Sequence, residues 1–528
     1  MERISIIENF TPKNDEALLA VAEKHRPALR EKQLKPVSAY VVRADGTAEA
    51  VSPDAVPALG AGESVCYDFG NHFVGYMTLE LSYMGSHPDA PAYLELQFAE
   101  RESELNEDAE AYRGWISKSW IQRELVHVDK LPHTLVLPRR YALRFCRMRV
   151  IDTSKKYRVL PQALTLRAVS AADPDRIAPL ETDDERLRRI DAIGVRTLAN
   201  CMQEVFEDGP KRDRRLWLGD FRLEALADYA TFRQTDIVRR CLYLFAGTRF
   251  EDDRLAACLF TDGEATADDT WFPDYALLYP VTLEEYVRET DDRDALCDLY
   301  AIACKQIDLT LSMCADDVVN ETLSENVFID WCPGLDKTAC MQGVLIYALR
   351  AGIELAHRMG DREREGRYIW QLIRKIVAAR KRFWDAEKGV FVSNGQVSAA
   401  SQIWMVIAGV LRKEQAAKLL SSFPIDGTAY RMVSPYIHHY YVEALLDAGL
   451  VEQARAHLLS YWGGMADAGA DTFWEIYDPA DPNASPYGGT IVNSYCHAWS
   501  CTPVWFLRSG RIAPRVQVRE NSSMAYRD

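Results

Sequence analysis

The stretch Thr182-Asp-Asp-Glu-Arg-Leu-Arg-Arg-Ile-Asp-Ala-Ile-Gly-Val-Arg-Thr-Leu-Ala-Asn-Cys-Met-Gln-Glu-Val205 is where the chain changes its period. Leu187, Ile190, Ile193, Leu198, Cys201 and Val205 recur near helical spacing, and Thr182-Asp-Asp-Glu185 has the form of a capping box that opens a helix. Upstream, beyond a polar linker at 171–179, the apolar residues alternate instead. Met77, Leu79 and Leu81 alternate with Thr78 and Glu80, and Tyr93-Leu-Glu-Leu-Gln-Phe98 and Arg147-Met-Arg-Val-Ile151 repeat the pattern. A period of two marks half-buried strands. Gly and Pro clusters at 57–62, 85–91 and 132–138 separate them, which predicts an antiparallel β-sandwich over residues 1–175. Residues 16–32 read as a helix preceding it.

Downstream the helical period persists. Roughly twelve apolar-periodic segments lie near 184–206, 214–232, 236–247, 274–289, 293–313, 338–359, 361–383, 398–411, 413–421, 434–449, 451–462 and 491–508. Short loops join many of them, so neighbours should pair as antiparallel hairpins. No repeat of fixed period argues for a solenoid. Six such hairpins predict an all-α (α/α)6 toroid, a six-hairpin barrel, over residues 176–510, with its concave end as the natural cleft. Residues 511–528 form a short polar tail, in which Arg515-Val-Gln-Val-Arg519 reads as one strand returning to the sandwich.

Composition narrows the function. A net charge of −16 lacks the basic footprint of a nucleic-acid binder. No apolar run is long enough to span a membrane, and no secretory leader is visible at the start. The twelve cysteines sit mostly within apolar patterns, without a Cys-x-x-Cys pair, and read as free thiols in a reducing, cytoplasmic setting. Twelve Trp and 25 Tyr fit either a large core or a sugar cleft, whose aromatic faces meet the apolar C–H faces of a pyranose.

The candidate chemistry lies in two places. Asp208-Gly-Pro-Lys-Arg-Asp-Arg-Arg-Leu-Trp-Leu-Gly-Asp220 packs three acids and four cations around one Trp. Pro210 suits a first helical turn capped by Asp208; if the helix runs on, Asp213, Trp217 and Asp220 share one face, with Arg212 beside them. The same charges would also make a capped helix with surface ion pairs. Far away, Thr472-Phe-Trp-Glu475-Ile-Tyr477 sets one acid among large apolar neighbours, where a carboxylate needs a cleft or a partner. Beyond it, Asn493-Ser-Tyr-Cys-His497-Ala-Trp499 opens the last helical segment; His497 alone reads as a core or capping histidine.

Taken in this order, these blocks resemble the signature of glycoside hydrolase family 78, the α-L-rhamnosidases, widespread in bacteria. Trp271-Phe-Pro-Asp274-Tyr, Phe328-Ile-Asp-Trp331 and Ser434-Pro-Tyr-Ile-His-His439 resemble it too. The resemblance implies an inverting exo-glycosidase with Asp213 as general acid and Glu475 as general base. It places Asp208, Arg212, Trp217, Asp220, Trp271, Asp274, Trp331, His497 and Trp499 in the sugar-binding cleft. It implies no metal or organic cofactor. The expected partner is a small-molecule glycoside or oligosaccharide, and a homodimer stays open. The chain departs from the family pattern in two ways: Asp213 is followed by Arg where many members carry Glu, the usual acid, in a motif one residue shorter that leaves the position of the acid open by one, and the C-terminal β domain of many members is reduced to a short tail. The alternatives are another (α/α)6 glycosidase specificity, or a non-hydrolytic carbohydrate-binding protein with a degenerate site.

Overall fold

The structure, a computed structural model, describes residues 11–425 and 427–512. The strand read at 515–519 lies outside them. The chain opens with helix α1 (Glu16–Lys24), capped by Asp15, whose carboxylate accepts from Leu18 N. The helix read over 16–32 is half as long. Pro27 cannot continue a helix and disfavours helical backbone in the residue before it, and Arg30–Leu34 becomes strand β1, paired with residues 166–170.

The N-terminal sheet then adds β2 (Ser38–Val42), β3 (Ala48–Val51), β4 (Ser64–Gly85), β5 (Ala92–Ala99), β6 (Arg123–Val128), β7 (His133–Val136), β8 (Tyr141–Asp152) and β9 (Tyr157–Ser170), all antiparallel. Strand β4 has 22 residues and belongs to both layers. Its first half pairs β2 and β8, its second half pairs β9 and β7, and the register shifts between Asp68 and Phe73. That irregularity lets one nine-stranded sheet turn over on itself. The alternation read at 76–82 points Met77, Leu79 and Leu81 into the enclosed core and leaves Glu80 in water.

The helical part runs α2 (Glu185–Cys201), α3 (Leu218–Ala230), α4 (Thr235–Gly247), α5 (Pro273–Thr290), α6 (Arg293–Ser312), the short α7 (Glu321–Glu325), α8 (Thr338–Met359), α9 (Arg362–Phe383), α10 (Ala399–Ile407), α11 (Lys413–Ser422), α12 (Pro435–Asp447), α13 (Val451–Asp467) and α14 (Pro503–Arg508). Helix α2 is capped by Asp184, which accepts from Arg186 N and Leu187 N, in place of the box read at Thr182. Helices α3, α5, α8, α10 and α12 touch in sequence, and α14 with the turn Ala498–Ser500 closes the ring back onto α3. The inner helices are buried nearly all round, as in α10, where every residue is buried. Outer helices such as α9 bury one stripe and wet the rest. Six such helices, α2, α4, α6, α9, α11 and α13, alternate with the inner ones along the chain, which gives the twelve helices of a six-hairpin barrel. Among the described helices, α8 alone is long and apolar enough to cross a membrane by length and composition, yet 78% of that window is buried between α5, α9 and α10.

Two predicted helices are corrected, and both lie at the cleft. The helix read from Pro210 begins only at Leu218, and the one read over 491–508 shrinks to Pro503–Arg508. In each case the preceding residues use their backbone groups on distant segments rather than on a helical ladder. Ala498 N donates to Asp208 O (2.7 Å), His497 N to Phe473 O (2.9 Å) and Glu475 N to Ser494 O (3.0 Å). These bonds stitch the two sequence blocks into one floor.

Candidate active site

The floor begins with the loop 208–215. Asp208 does not cap a helix. Its two carboxylate oxygens accept from Arg215 N (3.0 Å) and Asp213 N (3.4 Å), closing the loop on itself. Gly209 is required there, because a Cβ would meet Arg212 O and Ser494 Oγ. Lys211 is buried and donates to Asn493 O (2.9 Å) and to Glu104, so a carboxylate from the sheet domain pins the loop from below.

Arg212 organises the site. One Nη donates to Glu475 Oε2 and the other lies 3.6 Å from Asp213 Oδ1. Its Nε donates to Val492 O (3.1 Å), and its plane stacks over the Tyr487 ring at 4.0 Å. Tyr487 in turn donates its hydroxyl to Glu475 Oε1. Glu475, 3% exposed, thus has both oxygens oriented by donors, and its backbone carbonyl accepts from Trp499 Nε1 (3.0 Å). Asp213 is the open member of the pair, with 20% of its side chain exposed.

Behind this pair lies a buried acid cluster around His497. Its Nδ1 is 3.6 Å from Asp220, and its Nε2 is 3.9 Å from both Asp208 and Glu475. Burial drives the imidazole well below its ordinary pKa, so it is neutral. Burial likewise pushes Asp208 well above the usual carboxylate range, with Asp213 and Asp220 pushing the same way. Asp220 is raised by burial first, then by Glu475 and Asp213. These shifts favour the uncharged form of each group, and the pocket offers donors and acceptors suited to a neutral, hydroxylated ligand. Among the described residues no group of three or more His, Cys, Asp or Glu is arranged to hold a metal ion.

Of the residues singled out by sequence, Asp208, Arg212, Asp213, Asp220, Glu475, His497 and Trp499 converge here. Trp331 stands beside them, edge-on to Tyr487 (6.0 Å) and to Phe328 (5.3 Å), which stacks on Trp499 (5.7 Å). Trp217 is half-buried against Phe272. Asp274 serves the cleft indirectly. Its carboxylate accepts from Phe328 N and Ile329 N at 3.0–3.2 Å, holding Ile329 at a left-handed φ of 54°. Asp330 anchors the other side through Val433 N and the amide and hydroxyl of Ser434. Trp271 is buried under the Arg254 guanidinium, 4.9 Å from its ring centre. Tyr487, Lys211, Phe328 and Glu104 were missed. The loop Ser485-Pro-Tyr-Gly-Gly489 was legible as a turn, but nothing in it marked its tyrosine as a partner of Glu475.

Glu224, one turn below Asp220 on α3, is wholly buried, and neither carboxylate oxygen has a hydrogen-bond partner among the described residues. Burial raises its pKa well above the ordinary value, reinforced by Asp220 and Asp208. A carboxyl that holds its proton more tightly folded than unfolded lends stability below its unfolded pKa and loses it as pH climbs through the folded one. Glu224→Gln should therefore melt higher than wild type at pH 8, by about 1–3 kcal/mol of unfolding free energy, with the gap closing towards pH 4. Calorimetry at the two pH values checks this; an equal shift at both would contradict it.

Residues 37–168 match the family model for the glycosyl hydrolase family 78 alpha-rhamnosidase N-terminal domain, and residues 175–509 match the bacterial alpha-L-rhamnosidase 6 hairpin glycosidase domain. No curated protein sequence matches. Among solved structures, a rhamnosidase from Klebsiella oxytoca with rhamnose bound is 43% identical, with a TM-score of 0.90 over 94% of this chain and 99% of that one. A family 78 rhamnosidase of Bacillus sp. GL1 shares the fold at 22% identity (TM-score 0.73, 88% of this chain and 49% of that one). So does the Streptomyces avermitilis alpha-L-rhamnosidase complexed with L-rhamnose, at 16% identity (TM-score 0.66, 91% and 44%). The chain spans about half the length of these last two.

Proposed function

The chain belongs to glycoside hydrolase family 78, and from that premise we propose that it is an inverting exo-glycosidase that removes terminal α-L-rhamnosyl residues from glycosides or oligosaccharides. The observation that carries the mechanism is the single guanidinium between Asp213 and Glu475. An inverting enzyme needs its two carboxyls roughly 6.5–9.5 Å apart, so that a water fits beneath the anomeric carbon. A spacer the width of one guanidinium supports that arrangement.

In this reading the sugar enters with its ring over Trp499 and Trp331 and its hydroxyls on Asp208, Asp220 and His497. Asp213, at the open side, gives its proton to the glycosidic oxygen as the bond to C1 breaks. Glu475 takes a proton from the water that attacks the opposite face, and C1 inverts. Tyr487 and Arg212 hold the Glu475 carboxylate in one orientation for that transfer. The test is proton NMR of an aryl α-L-rhamnoside digest in its first minutes. The β-anomer of rhamnose should appear before mutarotation; the α-anomer appearing first would overturn inversion. Tight rhamnose binding without any turnover would overturn the hydrolase.

A further inference from the structure

The sheet domain does more than support the barrel. Between β5 and β6 the chain leaves the sheet for residues 100–122 and makes three short 3-10 turns. This segment is fastened to the loop 485–490 that carries Tyr487. Tyr112 Oη donates to Tyr487 O (2.8 Å), Trp115 Nε1 to Pro486 O (2.7 Å), and Thr490 Oγ1 to Glu107 Oε1 (2.8 Å). The two backbones are in such close contact that a Cβ on Gly114 would collide with Tyr487 O and the Tyr112 hydroxyl.

The outermost side chain of this junction is Trp115. Its ring lies 5.6 Å from that of Tyr487, tilted by 41°, and half of its surface is exposed. The indole N–H, its one polar atom, is already bonded to Pro486 O, so the exposed face is purely apolar. Inward from it, Tyr487 touches Trp331 and Glu475. A continuous row of rings thus runs from the buried acid cluster to the surface and ends at Trp115.

We infer that Trp115 is the platform for the leaving group: an apolar ring face beyond the scissile bond, whether a planar aromatic or the C–H face of a second sugar. This rests on the exo-glycosidase reading, because an exo-acting site fills its closed end with the glycone and leaves the rim to what departs. A rigid Trp fixed at the rim by its own N–H is suited to stacking of that kind.

The test compares kcat/KM for three substrates sharing one glycone: an aryl glycoside, a disaccharide and the methyl glycoside, which has no ring to stack. Trp115→Ala should lower the ratio of ring-bearing to methyl substrate about tenfold. Trp115→Phe, which keeps a ring but cannot bond Pro486 O, should restore most of that ratio. A ratio that falls for the aryl glycoside alone would name an aromatic leaving group, and for the disaccharide alone a sugar. An equal loss on all three substrates, or a Phe variant no better than Ala, would overturn the platform. The comparison is made on whichever glycone the wild type cleaves, and dissociation constants for the same three ligands give the same ratio without turnover. Absence of rhamnoside cleavage would therefore sink the rhamnosidase reading while the ratio still judges Trp115.

Discussion

Glu475→Gln should lower kcat on an aryl α-L-rhamnoside by about 10³-fold, within the 10²–10⁴ range that one positioned proton-transfer group supplies. The amide keeps the shape, so Arg212 can still donate to its one oxygen while the Tyr487 hydroxyl accepts from its NH2, but it cannot take a proton from water. The loss should be the same for every leaving group, because the base acts on the water and not on the departing oxygen. Asp213→Asn should behave differently. A nitrophenolate departs without help, so the variant retains measurable activity on that glycoside and collapses on a disaccharide, whose alkoxide must be protonated. Kinetics of both variants across aglycones of rising pKa assign the two roles. A leaving-group dependence in Glu475→Gln, with none in Asp213→Asn, would reverse them. The comparison also answers the question raised by the Arg that follows Asp213: if Asp213→Asn is fully active on all substrates, the acid is another residue.

The order of sheet and helices was legible because each domain repeats one period many times over. Strand positions such as Met77, Leu79 and Leu81 and helix limits such as Thr338–Met359 follow from patterns that a single substitution does not blur. The cleft was legible as residue types and not as local structure. Asp208 to Trp217 carries Pro210 and flanking acids, the signals of a helix start, yet Asp208 closes a loop around Gly209, and the helix waits until Leu218. Local propensity lost there to the bond from Ala498 N to Asp208 O and to side-chain bonds from Lys211 and Arg212 to the carbonyls of Asn493 and Val492, nearly 300 positions away, which no window of sequence contains. Asp274 and Trp271 show the reverse error. They sit among aromatic residues at a helix start, as a sugar site would, but Asp274 spends its oxygens on the amides of Phe328 and Ile329. The contribution of the sheet domain was invisible for the same reason: Glu104 meets Lys211, and Trp115 meets Tyr487, only once the two domains dock.

Arg212→Met should cost about 3–5 kcal/mol of stability, the usual penalty for stripping a buried charge of its partner, and should abolish turnover. The methionine fills much of the volume and keeps contact with the Tyr487 ring, but Glu475 is left buried with one hydroxyl donor, and Val492 O loses the Nε bond. Arg212→Lys should rescue little, since a compact ammonium cannot reach Glu475, Asp213 and Val492 O from one position. The informative variant is the double substitution Arg212→Met, Glu475→Gln. If the cost of the first change is the unpaired carboxylate, neutralising that carboxylate must return part of it. The double variant should then be more stable than Arg212→Met alone, with a coupling of about 1–3 kcal/mol, although it is inactive. Chemical denaturation of the four proteins measures the coupling. Simple additivity would mean that Arg212 matters through packing on Tyr487 and not through Glu475, and the guanidinium would then lose its place as the spacer on which the inverting reading depends.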